Sequence, residues 1–372
     1  GASVGDPNWI HTLHRGSRGN DSRHRGECAL VTSVVIIGGG PGGYEAALVA
    51  AQLGAQVTLI DASGIGGSAV LTDCVPSKAL IATAEVVTMA SESGDLGVRI
   101  NGQAPVPGVV HIDMALVNGR VKKLAAAQSQ DIEQSLRTAG VTLIHGRARL
   151  VARNRVSVNG DEIDADVILL ATGARPRVVS GAEPDGERIL TWEQIYDLPE
   201  LPSKLIVVGS GVTGAELASA YNALGSEVVL VSSRDRVLPG EDADAASVLE
   251  DVFRRRGMQV LSNARAESVT RTDRGVRVVL QSGEVLEGSH ALMAVGSVPN
   301  TGELGLEEVG VRCDPAGFIA TDRVSRTSVQ GIYAAGDCTG VLMLASTAAM
   351  QGRIAMRHAI GDAVVPLDLK GV

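Results

Sequence analysis

The sequence predicts an α/β protein in which parallel strands are covered by helices, organised as two nucleotide-binding-type units. Three observations carry that expectation. The composition is rich in Val, Ile, Leu, Ala and Gly but holds only two Phe, two Trp and four Tyr, which suits buried parallel strands better than a sandwich or barrel. A β-branched run, a glycine cluster and an Ala-rich segment follow one another twice along the chain. At 372 residues the chain also has room for two domains of ordinary size.

The elements follow in order. Residues 1–30 carry Arg15, Arg18, Arg23 and Arg25 among Gly, Ser, Asn and His, with no hydrophobic period to drive ordering, and are expected to form a disordered tail. Residues 34–37, Val-Val-Ile-Ile, read as a strand, residues 44–53 as an Ala-rich helix, and residues 57–60 as the next strand. A long helical region spans about 109–139, with short strands near 141–144, 156–158 and 167–170. The first βαβ order then recurs over 205–208, 215–224 and 228–231, an internal duplication. A last helix is expected over about 345–360.

Each unit holds a G-x-G-x-x-G fingerprint between its strand and its helix. In the first, Gly38-Gly39-Gly40-Pro41-Gly42-Gly43, Gly38 permits the tight turn, Gly40 lets the backbone approach a pyrophosphate, and Gly43 allows close helix–strand packing. The helix N-terminus then meets the phosphate charge. Asp61 closes the following strand, 23 residues after Gly38, where a carboxylate accepts hydrogen bonds from ribose hydroxyls. The second cluster repeats the pattern with Gly209, Gly211 and Gly214, but the equivalent position is Ser232, followed by Ser233 and Arg234. Hydroxyls and a guanidinium favour the 2′-phosphate of NADP where an acid would repel it. NADPH is therefore the expected electron donor over NADH, with Arg236 as a second phosphate ligand.

Composition excludes several classes. The net charge of −9 is spread without long acidic or basic blocks, so no nucleic-acid partner is expected. No apolar run reaches the roughly 18 residues of a membrane span, and no secretory signal is evident; a cytoplasmic protein is expected. Cys28, Cys74, Cys313 and Cys338 match neither a zinc ribbon nor a CxxC pair, and the scattered histidines give no metal-site spacing.

With both fingerprints placed, the chain resembles the pyridine nucleotide-disulfide oxidoreductase family of flavoproteins from about residue 34 to 361. Ala171-Thr172-Gly173-Ala174 is similar to the family's A-T-G hinge, and Ala294-Val295-Gly296-Ser297-Val298-Pro299-Asn300 to its G-x-x-P-N counterpart. Thr327 with Gly331-Ile332-Tyr333-Ala334-Ala335-Gly336-Asp337 is similar to the second FAD motif. The resemblance implies that the first fingerprint binds FAD, that the second binds NAD(P)H, and that Gly336 and Asp337 close the FAD site from the far end of the chain. It implies an FAD-binding domain of residues 31–180 and 310–361, interrupted by an NAD(P)-binding domain of residues 181–309. It also implies that Lys78 and Glu216 form an ion pair near the flavin.

Two departures shape the functional expectation. Disulfide reductases of the family carry C-x-x-x-x-C in the segment Gly67-Ser68-Ala69-Val70-Leu71-Thr72-Asp73-Cys74, but here Ala69 takes the first position. One sulfur cannot run a dithiol relay, which needs an attacking thiolate and a resolving partner. Cys74 is read either as a thiol whose pKa a helix start and Lys78 lower or as a small apolar packing residue. The second departure is the C-terminus: members continue into an interface domain that dimerises, and residues 362–372 are read as a truncated tail without it. The expected activity is hydride transfer from NAD(P)H to FAD and on to a quinone-type acceptor. A dihydrolipoamide dehydrogenase-like disulfide reductase, a nucleotide-responsive binding module and an inactive fragment are the alternatives.

Overall fold

Two five-stranded sheets, every strand pairing parallel, form the scaffold. The computed structural model describes residues 31–99, 101–105 and 110–369, and the expectations placed on residues 1–30, Cys28 included, lie outside that span. The first sheet runs in the order Ile332–Ala334, Val167–Leu170, Ser33–Ile37, Gln56–Asp61, Thr142–His145. The second runs Gln259–Leu261, Glu227–Val231, Lys204–Val208, His290–Met293, Ile189–Thr191. Their central strands are apolar and buried on both faces, as parallel strands under helices must be.

The duplication reaches further than the glycine clusters show. Ser33 pairs with Gln56 and Lys204 with Glu227 at the start of corresponding ladders. Each sheet is also accompanied by a three-stranded antiparallel meander: Ala148–Ala152, Arg155–Val158 and Asp161–Asp164 in one half, Ala266–Thr272, Gly275–Leu280 and Val285–Gly288 in the other. The strand Ile332–Ala334 joins the first sheet only after the whole second sheet has been traversed. The chain crosses between halves twice, and the crossing segments Ala174–Pro176 and Ser297–Pro299 pair antiparallel, Ala174 opposite Pro299.

The first helix, Pro41–Gln52, starts three residues ahead of the Ala-rich period. Pro41 suits the first helical position, where its missing N–H is no loss. Gly42 and Gly43 lie inside that helix, where the packing is too close for side chains. A Cβ on Gly352, in the last helix Ala345–Ile360, would sit 2.1 Å from the Gly42 carbonyl oxygen. The helix Met114–Thr138 begins where the Asp113 carboxylate accepts the Leu116 N–H at 2.9 Å. The helix Cys74–Glu92 was visible in sequence only at its start, since its mixture of Ala, Val and Thr blurs the helical period. Among the described residues, no helix is long and apolar enough to cross a membrane.

Candidate functional site

The two fingerprint turns are near copies. Gly38 has φ +109° and Gly209 φ +114°, and a Cβ on either would lie 2.1 Å from a carbonyl oxygen, of Ala171 in one case and Ala294 in the other. At Gly43 and Gly214 a Cβ would come within 1.8 and 1.9 Å of the carbonyl oxygens of Gly38 and Gly209. Protein packing thus explains those four glycines. Gly40 and Gly211 differ: their φ values of −72° and −70° are open to any residue. Nothing lies within 4 Å of a Cβ on Gly211, and only the Gly67 Cα, at 3.9 Å, approaches one on Gly40. The space in front of these two positions is the cradle a pyrophosphate needs. Neither helix has a side-chain cap; in the first, the Gly43 N–H donates to the Gly40 carbonyl at 2.9 Å, and the helix start still presents its positive end to an anion.

Beyond the turns the two halves diverge. The Asp61 carboxylate accepts the backbone N–H of Gly39 at 2.7 Å, of Ser63 at 2.7 Å and of Gly64 at 2.5 Å, tying the phosphate turn to the loop after the second strand. Ser232 is fully buried. Its hydroxyl shares a 2.7 Å hydrogen bond with Ser210 Oγ, accepts the Arg234 N–H at 3.2 Å and reaches the Arg236 carbonyl at 3.1 Å. Ser232, expected from the sequence at the NADP site, uses its side chain to fold the turn from within. Ser233 and Arg234 are exposed on that turn, and the Arg236 Nε is buried without a partner.

The loop after Asp61 packs onto the first turn. Gly66 donates to the Gly39 carbonyl at 2.8 Å, and Gly67, with φ +59°, lies so close to Gly40 that a Cβ would be 2.7 Å from its Cα. The short helix Gly67–Leu71 carries Ala69, and the helix from Cys74 follows. One turn into that helix, Lys78 Nζ meets both Glu216 carboxylate oxygens at 3.0 Å. Glu216 stands on the helix Val212–Leu224, so the pair joins the two halves.

Burial, followed by the Asp73 carboxylate, pushes the Cys74 thiol above its ordinary range, with Glu216 and Asp337 adding to the rise and only Lys78 opposing it. Of the two readings of Cys74, the activated thiolate loses its footing because desolvation and carboxylates outweigh one lysine. Cys74 and Cys338 are both free thiols. Cys338 is fully buried, with its thiol raised to about 11 by burial and directed at the carbonyls of Leu170 and Ala335.

Asp337 follows Gly336 at the end of the strand Ile332–Ala334, and burial together with Asp73 pushes its carboxyl up to about 6. Sequence reasoning missed two residues here. Gln351 is 1% exposed; its Oε1 accepts the Gly336 N–H at 2.8 Å and its Nε2 donates to Thr339 at 3.4 Å, fixing the turn that presents Asp337. No sequence signal distinguishes it from any helical glutamine. Asp73, by contrast, was readable as an acid beside the lone cysteine. At the hinge, Asn300 donates from its side chain to the Thr172 carbonyl at 3.0 Å and from its backbone to Gly173 at 3.0 Å. The buried Thr172 Oγ1 lacks a hydrogen-bond partner, while Gly173 and Gly296 take φ values of +67° and +93°.

The comparisons with known proteins agree with this geometry. Residues 32–352 match the model of the family described as pyridine nucleotide-disulphide oxidoreductase. The chain is 54% identical to an NAD(P)H dehydrogenase (quinone) of Mycobacterium tuberculosis (strain ATCC 25618 / H37Rv), over 92% of this chain and 71% of that protein. It is 36% identical to a dihydrolipoyl dehydrogenase of Chlorobaculum tepidum, over 90% of this chain and 72% of that one. A crystal structure of LpdA from Mycobacterium tuberculosis superimposes with a TM-score of 0.85 at 53% identity, covering 92% of this chain and 75% of that one.

Proposed function

This chain belongs to the pyridine nucleotide-disulphide oxidoreductase family, and we propose that it passes hydride from NADPH to FAD and from there to a quinone rather than to a disulfide. The family's chemistry uses FAD and NAD(P)H, and the open cradles at Gly40 and Gly211 fit one dinucleotide each. We assign FAD to the turn of Gly38, Gly40, Pro41 and Gly43, with Asp61, Gly67, Ala171, Thr172, Gly173, Gly336 and Asp337 around it. We assign NADPH to the turn of Gly209, Gly211 and Gly214, with Ser233 and Arg234 facing its 2′-phosphate and Gly296 at the crossing.

When bound, FAD accepts two electrons with a proton from the nicotinamide and gives them up to the acceptor. The protein's part is positioning and electrostatics. Lys78 places a positive charge at the junction of the halves, where it favours negative charge on a reduced ring, and Glu216 orients it. Asp337 and Thr172 offer polar groups to the ribityl side. The observation that carries the acceptor assignment is the single sulfur: Ala69 stands where a resolving cysteine is needed, and the Cys74 thiol is free and raised rather than activated. The 54% identical relative that carries the quinone name supports the same reading.

The test is anaerobic. Purified protein loaded with FAD is bleached with NADPH, then mixed with a soluble naphthoquinone. Recovery of the flavin colour within seconds supports the proposal. Bleached flavin that ignores the quinone but recovers with lipoamide would overturn it.

A further inference from the structure

Past Glu216, a cleft of about 750 Å³ opens between three helices and is lined mostly by apolar atoms. Its floor is the helix Val212–Leu224, through Val212, Glu216, Ser219 and Ala223. Ile81, Ala84, Thr88 and Met89 of the helix Cys74–Glu92 form one wall. Leu249 and Phe253 of the helix Ala243–Arg255 form the other, and Leu238 also lines it. The residues recur at helical spacing on each wall, so the cleft runs along the floor helix. From Glu216 to Ala223 it extends roughly 10 Å at 1.5 Å per residue.

Three features set this cleft apart from ordinary surface relief. It shares Glu216 with the Lys78 ion pair, so it is continuous with the junction where the two halves meet. Its other charged residues, Glu85, Glu241 and Arg256, are exposed rather than buried among the apolar walls, and the Thr88 hydroxyl is already spent on the Ala84 carbonyl at 3.1 Å. Apart from Glu216 at the mouth and the Ser219 hydroxyl on the floor, the lining between the three helices is apolar. Its volume lies within the range of small-molecule sites, about 300–1,000 Å³.

We propose that this cleft holds the hydrocarbon tail of a lipophilic quinone whose ring lies at the Lys78–Glu216 junction. The inference rests on the acceptor reading above and adds the class of acceptor: a quinone with a flexible apolar chain. An alkyl chain gains free energy with each methylene it buries, and the cleft supplies apolar walls along its length. Lys78 and Glu216 keep the polar end at the mouth.

The test compares two quinones with the same ring, one bearing a decyl chain and one a methyl group in its place, reduced by FAD-loaded protein with NADPH. Wild type is expected to favour the decyl quinone by about tenfold in kcat/KM, mainly through KM. Ser219→Phe and Ala223→Phe, at two partly exposed positions of the cleft floor, are expected to erase that preference while leaving the methyl quinone within about twofold. Flavin content and the rate of bleaching by NADPH, unchanged in at least one variant, show that the fold survives. No preference in wild type, or equal losses for both quinones in the variants, would overturn the cleft assignment alone. Failure of wild type to reduce either quinone while NADPH still bleaches the flavin would instead overturn the acceptor reading, and this inference with it.

Discussion

The turn at Gly38 and the turn at Gly209 share their φ values to within 5° and meet matching backbone obstacles at 2.1 Å, yet each is anchored differently. In the first, the Asp61 carboxylate gathers three backbone N–H groups and spends itself on the protein. In the second, a buried serine hydroxyl does the tying and the charged side chains Arg234 and Arg236 are carried on the turn above it. The comparison separates two jobs that a fingerprint combines. The glycines make room in front of each helix start, and the end of the second strand ties the turn down by a carboxylate in one half and a hydroxyl in the other.

The same division appears one turn further on. Glu45 and Glu216 each lie two residues past the last fingerprint glycine. Glu45 pairs with Arg353 of the last helix at 3.2 Å, within its own half, whereas Glu216 pairs with Lys78 across the halves. Duplication supplied two equivalent carboxylates, and only the second bridges the junction.

The largest expected effect breaks the symmetry of the turns themselves. Because Gly40 and Gly211 have ordinary φ values and clear space, Gly40→Val and Gly211→Val should fold. The first is expected to emerge colourless, without retained FAD. The second is expected to stay yellow but to be bleached by NADPH at least about 100-fold more slowly, as loss of a phosphate cradle removes several kcal/mol of binding. Absorbance at the flavin band and stopped-flow bleaching read the two outcomes, and a yellow Gly40→Val would reverse our assignment.

Removing either anchor shows what it holds. Asp61→Ala leaves three backbone donors without their acceptor, and a cost of about 2–3 kcal/mol in apoprotein stability is expected from chemical unfolding. Arg234→Ala should leave stability within about 0.5 kcal/mol and lower kcat/KM for NADPH about tenfold, with NADH unaffected. An equal loss for both nucleotides would remove Arg234 from the 2′-phosphate site.

Lys78→Met is expected to slow flavin bleaching by NADPH about ten- to 100-fold while costing under about 1 kcal/mol of stability, since the pair is partly solvated. A stability loss without a rate loss would make it a structural bridge only.

The smallest effect is in pH dependence, where two half-buried groups oppose each other. The Asp337 carboxyl, raised to about 6 in the fold from an ordinary value of 3.8, binds its proton more readily folded than unfolded, so its contribution falls as pH rises from about 4 to 6. His290, lowered to about 4 by burial and Arg188, contributes stability that is complete above 6.5 and is lost as pH falls toward 4. Apoprotein Tm should therefore be flatter across this window in wild type than in Asp337→Asn, whose Tm should climb with pH. Equal slopes in the two proteins would show that Asp337 titrates normally.

Much of this was legible in the chain alone. Both fingerprints, the crossing segments, Asp337 and the Lys78–Glu216 pair follow from residue spacing and resemblance, because each depends on local backbone demands or on a short motif. What escaped the sequence depends on tertiary packing. Ser232 reads as a surface hydroxyl until the fold buries it, and Gln351 is an anonymous helical residue until the Gly336 turn comes to rest on its amide. The sequence leaves Cys74 open between an activated thiol and a small packing residue, and only the fold shows the burial and the carboxylates from separate segments that raise it.

In the proposed activity electrons move between two nucleotides with no dithiol store between them. Anaerobic titration of the FAD-loaded protein with NADPH, followed by counting of reactive thiols, tests this directly. One equivalent of NADPH per flavin should complete the bleaching, with the thiol count unchanged from the oxidised protein. A requirement for two equivalents, accompanied by two new thiols per flavin, would contradict it.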